Sequence, residues 1–462
     1  MLRQSTLWLG RVACFERIVS RTLFTETVQQ IRSRKPTSTR VAVKGWAKRV
    51  HRTSKATFVD VGDGLSAGVI QAIIPRDVCS SVPLGCAIEV EGQWKRSEGR
   101  MQECELAADK AHVSATDDDP RYASLSSDSL RKDLSLRARS DAFSSLLRIR
   151  NRLTVSTHQF FQDEQFVHID TPMVTENDCE GAGETFSIKF GKGDDPFFGQ
   201  EVFLTVSSQL HLEAMTAGIG RVYTLGRAFR AEKNQSKTHL SEFTMLEAEV
   251  TFCSKLEDLL GLVERYVRQM VTSACSHEDF DSDLSSISSL AQGTRVLEKS
   301  LSRLREIPVM KHSEAIEILK AKGHPLPPSG SLSRSAELAL VDYSKGPVFV
   351  THFPSSQKPF YMKRNEKGET ESFDLLCPGI GELVGGSLRV ESKEEMERNL
   401  EGASMNKSLE WYANLHKRGK PPSGGFGIGF ERLIQVCMGY GKEWRCDELL
   451  RFAISNNCSQ CL

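Results

Sequence analysis

Between Gly226 and Glu249 the chain reads GRAFRAEKNQSKTHLSEFTMLEAE, placing an arginine, acids and an aromatic where a nucleoside triphosphate could be gripped. Side chains of a strand alternate between its faces, so Arg230 and Glu232 point the same way. A guanidinium beside a carboxylate can hold a phosphate and an amino group. Polar residues Lys233 to Lys237 follow, and strand character returns at Glu242, Phe243, Met245 and Leu246, which describes a hairpin with a long connection. Phe243 offers a flat face to a purine. An isolated Arg-x-Glu is more often an ordinary surface ion pair, so the rest of the chain must decide.

The elements that position this hairpin follow from composition and periodicity. The 462 residues are 39% hydrophobic and 26% charged, enough for two or three domains with real cores. Sixty basic residues balance sixty acidic ones, which excludes a generic polyanion binder and leaves RNA recognition to local patches. No apolar run approaches the roughly 20 residues that span a bilayer, so no membrane role is expected. Val41 to Val61 reads as two alternating strands around a basic turn. A third strand, Gly68 to Ile74, follows the turn Asp63-Gly64, and another lies at Ile88 to Trp94. That is the pattern of a small closed barrel of the OB type, over 38–115. A polar hinge is expected over 116–139, and from 140 to 462 a second domain opens on a helix near Ser140. This domain is β-rich to Glu249, helical over Lys255 to Ala274, and carries a Ser-rich, solvent-facing insertion at Ser282 to Ser289. Strands return at Val348 to Phe353 and Phe373 to Leu388, and Lys393 to Lys417 reads as helical. The class is α+β.

FRAE, a loop and then HLSEF resemble motif 2 of the class II aminoacyl-tRNA synthetases, within the aspartyl, asparaginyl and lysyl subgroup. Pro172 in FVHIDTPMV resembles the motif 1 proline, which lies at the dimer interface in that family. GGFGIGFERLIQ, Gly424 to Gln435, is similar to motif 3, with Arg432 as its arginine. FDLLCPGIGELVGGSLR, Phe373 to Arg389, is similar to the acidic and glycine-rich strands that precede motif 3. The resemblance implies an N-terminal OB-fold barrel, an antiparallel-sheet catalytic domain, a homodimer through the Pro172 region, and ATP with Mg²⁺ as cofactors. It places Arg230 on the α-phosphate and the amino-acid carboxylate, and Glu232 on the ribose or adenine. Phe243 and Arg432 would enclose the adenine ring, with His239 in the ATP site. Asp374 and Glu382 would hold Mg²⁺; either residue alone reads as a solvated strand end. A planar guanidinium stacks on a base in a way that a lysine does not.

The same resemblance puts Glu180, on the glycine-flanked loop NDCEGAGE, over the substrate amino group as a lid. Ser207 and Gln209 would bind the amino-acid backbone, and Arg389 would reach the side-chain carbonyl oxygen. Aspartyl members of the subgroup have a lysine three residues after the glutamine. Here that position is Leu212, followed by Glu213, a carboxylate that repels aspartate and accepts from an asparagine amide. The string KPFYM, Lys358 to Met362, points the same way. The implied activity is ATP-dependent activation of asparagine and its transfer to tRNA(Asn). An aspartate-specific member or a degraded RNA-binding relative are the alternatives. In the barrel, Phe58 would stack an anticodon base and Gln71 would read the central uridine. Taken alone, Phe58 is as well a core residue. Lys44, Lys48, Arg49 and Arg52 offer charge to phosphates.

Three positions depart from the family pattern. Thr238 stands where motif 2 has an arginine, His51 stands for an arginine in the barrel, and a substituted tail begins at about residue 440. Within the first 30 residues, the stretch 1–24 carries Arg3, Arg11, Arg17 and Arg21 against the single acid Glu16, with apolar residues between them. That is the composition of a mitochondrial presequence, so a place in the mitochondrial matrix is expected. Twelve scattered cysteines suit a reducing compartment, and the lone pair Cys458 and Cys461 lacks the second half of a zinc site, so no structural zinc is expected.

Overall fold

The computed structural model describes residues 25–36, 39–99, 102–116, 134–176, 185–189, 201–231, 240–287, 296–402 and 409–439. Glu180, Glu232, Thr238, His239, the tail from residue 440, residues 1–24 and most of the 116–139 hinge lie outside these. The chain forms two compact units, Met1–Arg148 and Ile149–Leu462. Among the described residues no helix is long and apolar enough to cross a membrane.

The first unit is a closed barrel of β1 (Thr39–Arg52), β2 (Ala56–Gly62), β3 (Ile70–Pro75), β4 (Ala87–Arg96) and β5 (Cys104–Ala115), in the order β1-β2-β3-β5-β4. Alternation places Val41 and Val43, Val59 and Val61, Ile70, Ala72 and Ile74, and Ile88 and Val90 inside. Closure needs curvature, which the register shifts at Ala47/Arg49 and Glu91/Gly92 provide. At Gly92 a Cβ would overlap the Ala107 carbonyl of the neighbouring strand, so the bulge requires glycine. A short helix, Val28–Arg32, precedes the barrel. Thr27 and Gln30 form its capping box, and Val28 and Ile31 are fully buried in the barrel core. Among the described residues the barrel core thus takes in Val28 and Ile31, ahead of residue 38.

In the second unit the strands are β6 (Val167–His168), β7 (Val174–Thr175), β8 (Ser187–Ile188), β9 (Val202–Leu204), β10 (Arg221–Phe229), β11 (Glu242–Thr251), β12 (Val309–Lys311), β13 (Val348–Thr351), β14 (Ser372–Cys377), β15 (Gly381–Leu388) and β16 (Ser423–Gly429). Eight of them form one sheet in the order β12-β13-β14-β15-β16-β11-β10-β6, antiparallel from β13 to β10 with a parallel pair at each edge. A second sheet orders as β7-β9-β8. The helix Leu256–Cys275 buries ten side chains from Leu256 to Ala274, and its Leu259 covers β16 at Gly424.

Where it is described, the Ser-rich stretch presents Ser282, Ser285 and Ser286 to solvent, as expected, but it is also tied to the core. It forms the helix Phe280–Ile287, which buries Phe280 and Leu284 and pairs Asp283 with Arg152 Nη1 at 2.9 Å. Phe280 and Leu284, one turn apart, outweigh the serines between them. The expected helix Lys393 to Lys417 is divided into Lys393–Gly402, Glu410–Ala413 and the 3₁₀ turn His416–Arg418.

Candidate active site

The floor of the site is made by β11, β15 and β16. Register pairs Met245, Glu247 and Glu249 of β11 with Gly429, Gly427 and Gly425 of β16, and pairs Gly385 and Ser387 of β15 with Gly427 and Gly425. The period of two puts Met245, Glu247 and Glu249 on one face, above strands that have almost no side chains there. Cβ atoms at Gly425 and Gly427 would overlap Glu249 and Met245. The result is a cavity of about 220 Å³ lined by Ser207, Gln209, Arg230, Glu247, Glu249, Lys358, Tyr361, Asp374, Glu382 and Arg389, with apolar residues between them.

At one end the charges form a closed network. Arg389 donates through Nη2 to Glu249 Oε2 at 2.8 Å, through Nε to Glu249 Oε1 at 3.1 Å, and through Nη1 to Ser387 Oγ at 2.8 Å. Its guanidinium also lies over the Tyr361 ring. Glu213 accepts from Gln209 Nε2 at 2.9 Å and Tyr412 Oη at 2.8 Å, with Lys420 Nζ at 3.1 Å and Arg389 Nε at 3.5 Å. Burial works against the charged form of Glu213, yet Lys420 and Arg389 together hold its carboxyl below the usual range. Burial pushes Glu249 up against the pull of Arg389, and Arg389 stays firmly protonated because Glu249 and Glu213 outweigh its burial. Two buried cations are thus matched by two buried carboxylates. Glu247 is held separately, accepting from Ser207 Oγ at 2.5 Å and the Ser208 amide at 2.8 Å.

The other end is acidic. Lys358 Nζ spans both oxygens of Asp374, at 2.8 and 2.9 Å, and sits 3.9 Å from the centre of the Phe353 ring. Burial raises Asp374 to about 6, with Lys358 pulling down and Glu382 pushing up. Glu382 lies across the gap above Gly385: a Cβ there would be 3.1 Å from Glu382 Oε1 and 3.7 Å from Asp374 Oδ1. Two carboxylates facing a side-chain-free space suit a hard cation that takes its remaining ligands from phosphates. Among the described residues no group of three or more His, Cys, Asp or Glu forms a metal cage. Arg230 lies with Cζ 5.5 Å from the Phe243 ring centre, and Arg432 Nη1 donates to the Glu382 carbonyl at 2.9 Å.

Of the residues singled out in the sequence, Ser207, Gln209, Arg230, Asp374, Glu382 and Arg389 line this one cavity. Phe243 is at its Arg230 side, and Arg432 is tied to Glu382. Glu213 does not line it. The residue is four positions after Gln209 on the helix Gln209–Met215, fully buried and engaged on both oxygens; on the motif 2 strand Glu247 and Glu249 reach the cavity instead. Both fall within the motif 2 string, and two acids at spacing two inside the buried run MLEAEV were the available signal. Lys420 and Tyr412 gave no such signal.

On the barrel, Phe58 and Gln71 lie on the outer face, opposite the buried Thr57 and Val59. Phe58 is half-buried, pairs in register with His51, and lies 6.3 Å from its ring centre. Gln71 donates to Asp60 and accepts from Gln102. The basic residues of β1 are largely engaged: Lys44 with Glu89, Lys48 with Asp141, and Arg52 with the Val82 carbonyl. In the second unit Val167, Pro172, Met173 and Val174 are exposed.

A sequence model of the class II tRNA synthetases (D, K and N) matches residues 127–442, ending just inside the atypical tail. The asparaginyl-tRNA synthetase of Mus musculus is 38% identical over 417 residues, 86% of this chain and 87% of that protein. The probable mitochondrial asparagine–tRNA ligase of Dictyostelium discoideum is 34% identical, over 86% of this chain and 90% of that one. Among solved structures, asparaginyl-tRNA synthetase from Pyrococcus horikoshii complexed with asparaginyl-adenylate superposes with a TM-score of 0.83 at 24% identity, covering 95% of this chain and 99% of that one. A putative aspartyl-tRNA synthetase from Leishmania major reaches 0.78 at 16% identity, covering 95% of this chain and 96% of that one, so the fold alone does not choose the amino acid.

Proposed function

We propose that this chain, which belongs to the class II tRNA synthetases of the aspartate, lysine and asparagine group, is an asparagine–tRNA ligase that uses ATP. The observation that carries the choice of asparagine is the neutral network around Arg389. Its charge is already matched by Glu249 and Glu213, and Lys420 compensates the second carboxylate. Among the described residues Arg389 and Lys420 thus offer no spare charge to an aspartate carboxylate, and Glu247 adds repulsion. An asparagine amide instead donates to a cavity carboxylate and accepts from Arg389.

In the reaction, the asparagine carboxylate attacks the α-phosphorus of ATP and pyrophosphate leaves. The terminal hydroxyl of tRNA(Asn) then attacks the acyl carbon and AMP leaves. Arg230 neutralises the α-phosphate as the two anions approach, and Ser207 and Gln209 orient the amino-acid backbone. Phe243 and Arg432 hold the adenine, while Glu180, Glu232 and His239 take the roles the family pattern gives them. Asp374 and Glu382 would hold Mg²⁺, which supplies charge neutralisation at the triphosphate when bound. Phe58 and Gln71 read the anticodon. The exposed apolar residues around Pro172 make a homodimer contact, and the protein works in the mitochondrial matrix, a placement favoured by the arginine-rich first residues and the Dictyostelium relative.

Pyrophosphate exchange with asparagine, aspartate and lysine in parallel tests this. Exchange with asparagine alone is expected. Exchange with aspartate alone refutes the charge argument, and none with any of the three refutes the ligase.

A further inference from the structure

The helix Arg334–Ser344 lies outside every motif, yet it grips the hairpin that carries Glu382. Glu337, in its first turn, accepts the Glu382 amide N–H at 3.0 Å through Oε2. Arg334, three residues earlier, donates through Nη2 to the Gly379 carbonyl of the same hairpin at 3.1 Å. Arg432 Nη1 donates to the Glu382 carbonyl at 2.9 Å. The two peptide groups that flank the Glu382 Cα are therefore each held by a side chain, which restrains both backbone torsions of the residue that presents the carboxylate.

The local backbone is built around this grip. Leu375 pairs with Val384, but Leu376 pairs with Glu382, so β15 carries one extra residue at this point. A bulge of this kind redirects a side chain. Gly381 has φ +82°, and a Cβ on it would overlap Glu337 Oε2, so the approach of the Glu337 carboxylate depends on glycine there. Glu337 itself does not line the cavity, whereas Glu382 does.

We propose that Glu337 is a positioning residue for the triphosphate and divalent-cation end of the site, acting through Glu382, whose carboxylate it fixes opposite Asp374. The inference rests on the adenylate reading of the cavity given above. It differs from a plain fastening of a helix to a hairpin, which would affect both substrates alike. Partners that orient a cation ligand are worth about 10–100-fold in affinity or activity when removed.

The test compares wild type with E337A and E337Q. ATP and asparagine KM, the half-saturating Mg²⁺ concentration, and the shift in Tm produced by ATP with Mg²⁺ in the absence of asparagine are measured. E337A is expected to raise ATP KM and half-saturating Mg²⁺ by about tenfold or more, to shrink the Tm shift, and to leave asparagine KM unchanged. E337Q keeps an amide oxygen that accepts the same N–H and is expected to stay close to wild type. An E337A that raises asparagine KM as much as ATP KM, or leaves the Mg²⁺ response unchanged, overturns the proposal, as does an E337Q as impaired as E337A. Should E337A not fold, E337D, whose carboxyl is drawn back by one methylene, must show the same selective loss. Absence of exchange in the wild type would refute the ligase reading, while the Tm shifts of the variants would still decide the role of Glu337.

Discussion

The cavity above β11, β15 and β16 and the outer face of the barrel hold charge in opposite ways. Around the cavity, Arg389, Lys420, Glu213 and Glu249 are at most 4% exposed at their side chains and share one network. On the barrel, Lys44 and Glu89 are 50% and 44% exposed, and Arg40 and Asp109 are 54% and 47% exposed. A buried charge has no water to replace a lost partner, so the cavity network has a single geometry. An exposed pair gains little from its partner and is easily exchanged for another. The first arrangement suits a site that must hold reacting groups in fixed positions. The second fits the proposed role of the barrel in RNA binding, where ion pairs are exchanged for phosphates.

If that contrast is correct, Arg389→Leu has the largest effect. It leaves Glu213 and Glu249 with one cation between them and is expected to cost about 3–5 kcal/mol of stability, read from the denaturation midpoint. Asparagine-dependent exchange is lost with it, and Arg389→Lys does not restore the paired geometry with Glu249. An unchanged midpoint would break the comparison. Lys358→Met should cost less, about 2 kcal/mol, because Lys358 and Asp374 are 16% and 15% exposed and stand between the buried and surface limits. Adding Asp374→Asn should recover most of that loss in a double-mutant cycle, and additive losses would show that the pair is not coupled.

Phe58→Ala probes the other region. Loss of one stacked base is worth about 1–3 kcal/mol, so tRNA KM should rise about tenfold or more while exchange stays at the wild-type rate. A fall in exchange would mean that the two regions are not separable in this way. The smallest effect is expected at His312, where burial, with Lys358 nearby, holds the imidazole below its ordinary range despite the bond to the Gly330 carbonyl. The unfolded chain takes up the proton first as pH falls through the usual value of 6.5. The stability that neutral His312 contributes is thus present above that pH and lost as pH falls towards the folded value. Denaturation midpoints of wild type and His312→Gln should diverge on acidification, with wild type losing ground; parallel profiles would refute the assignment.

The barrel strands were legible because Val59 and Val61, or Ile70, Ala72 and Ile74, alternate with outward residues, and a period of two is a local property of the chain. The β10–β11 hairpin was legible for the same reason, down to the turn back onto Glu242, which pairs with Phe229. The helix Phe280–Ile287 was not legible beyond its exposed serines, since the second unit's packing alone shows Phe280 and Leu284 buried. Nor was the short helix Val28–Arg32, whose two apolar residues gain meaning only from the barrel core they enter.

The sequence alone determined that Arg230, Glu382, Arg389 and Arg432 occur in strings able to build an adenylate site, because those strings are contiguous. Which carboxylate meets which cation was settled only by the tertiary structure. Arg389 reaches Glu249 across 140 residues, and Tyr412 reaches Glu213 across 199. Contacts of that separation leave no period in the chain. They arise from strand register and loop closure, and the same register places Glu247 and Glu249 over glycines while Glu213 stays behind them.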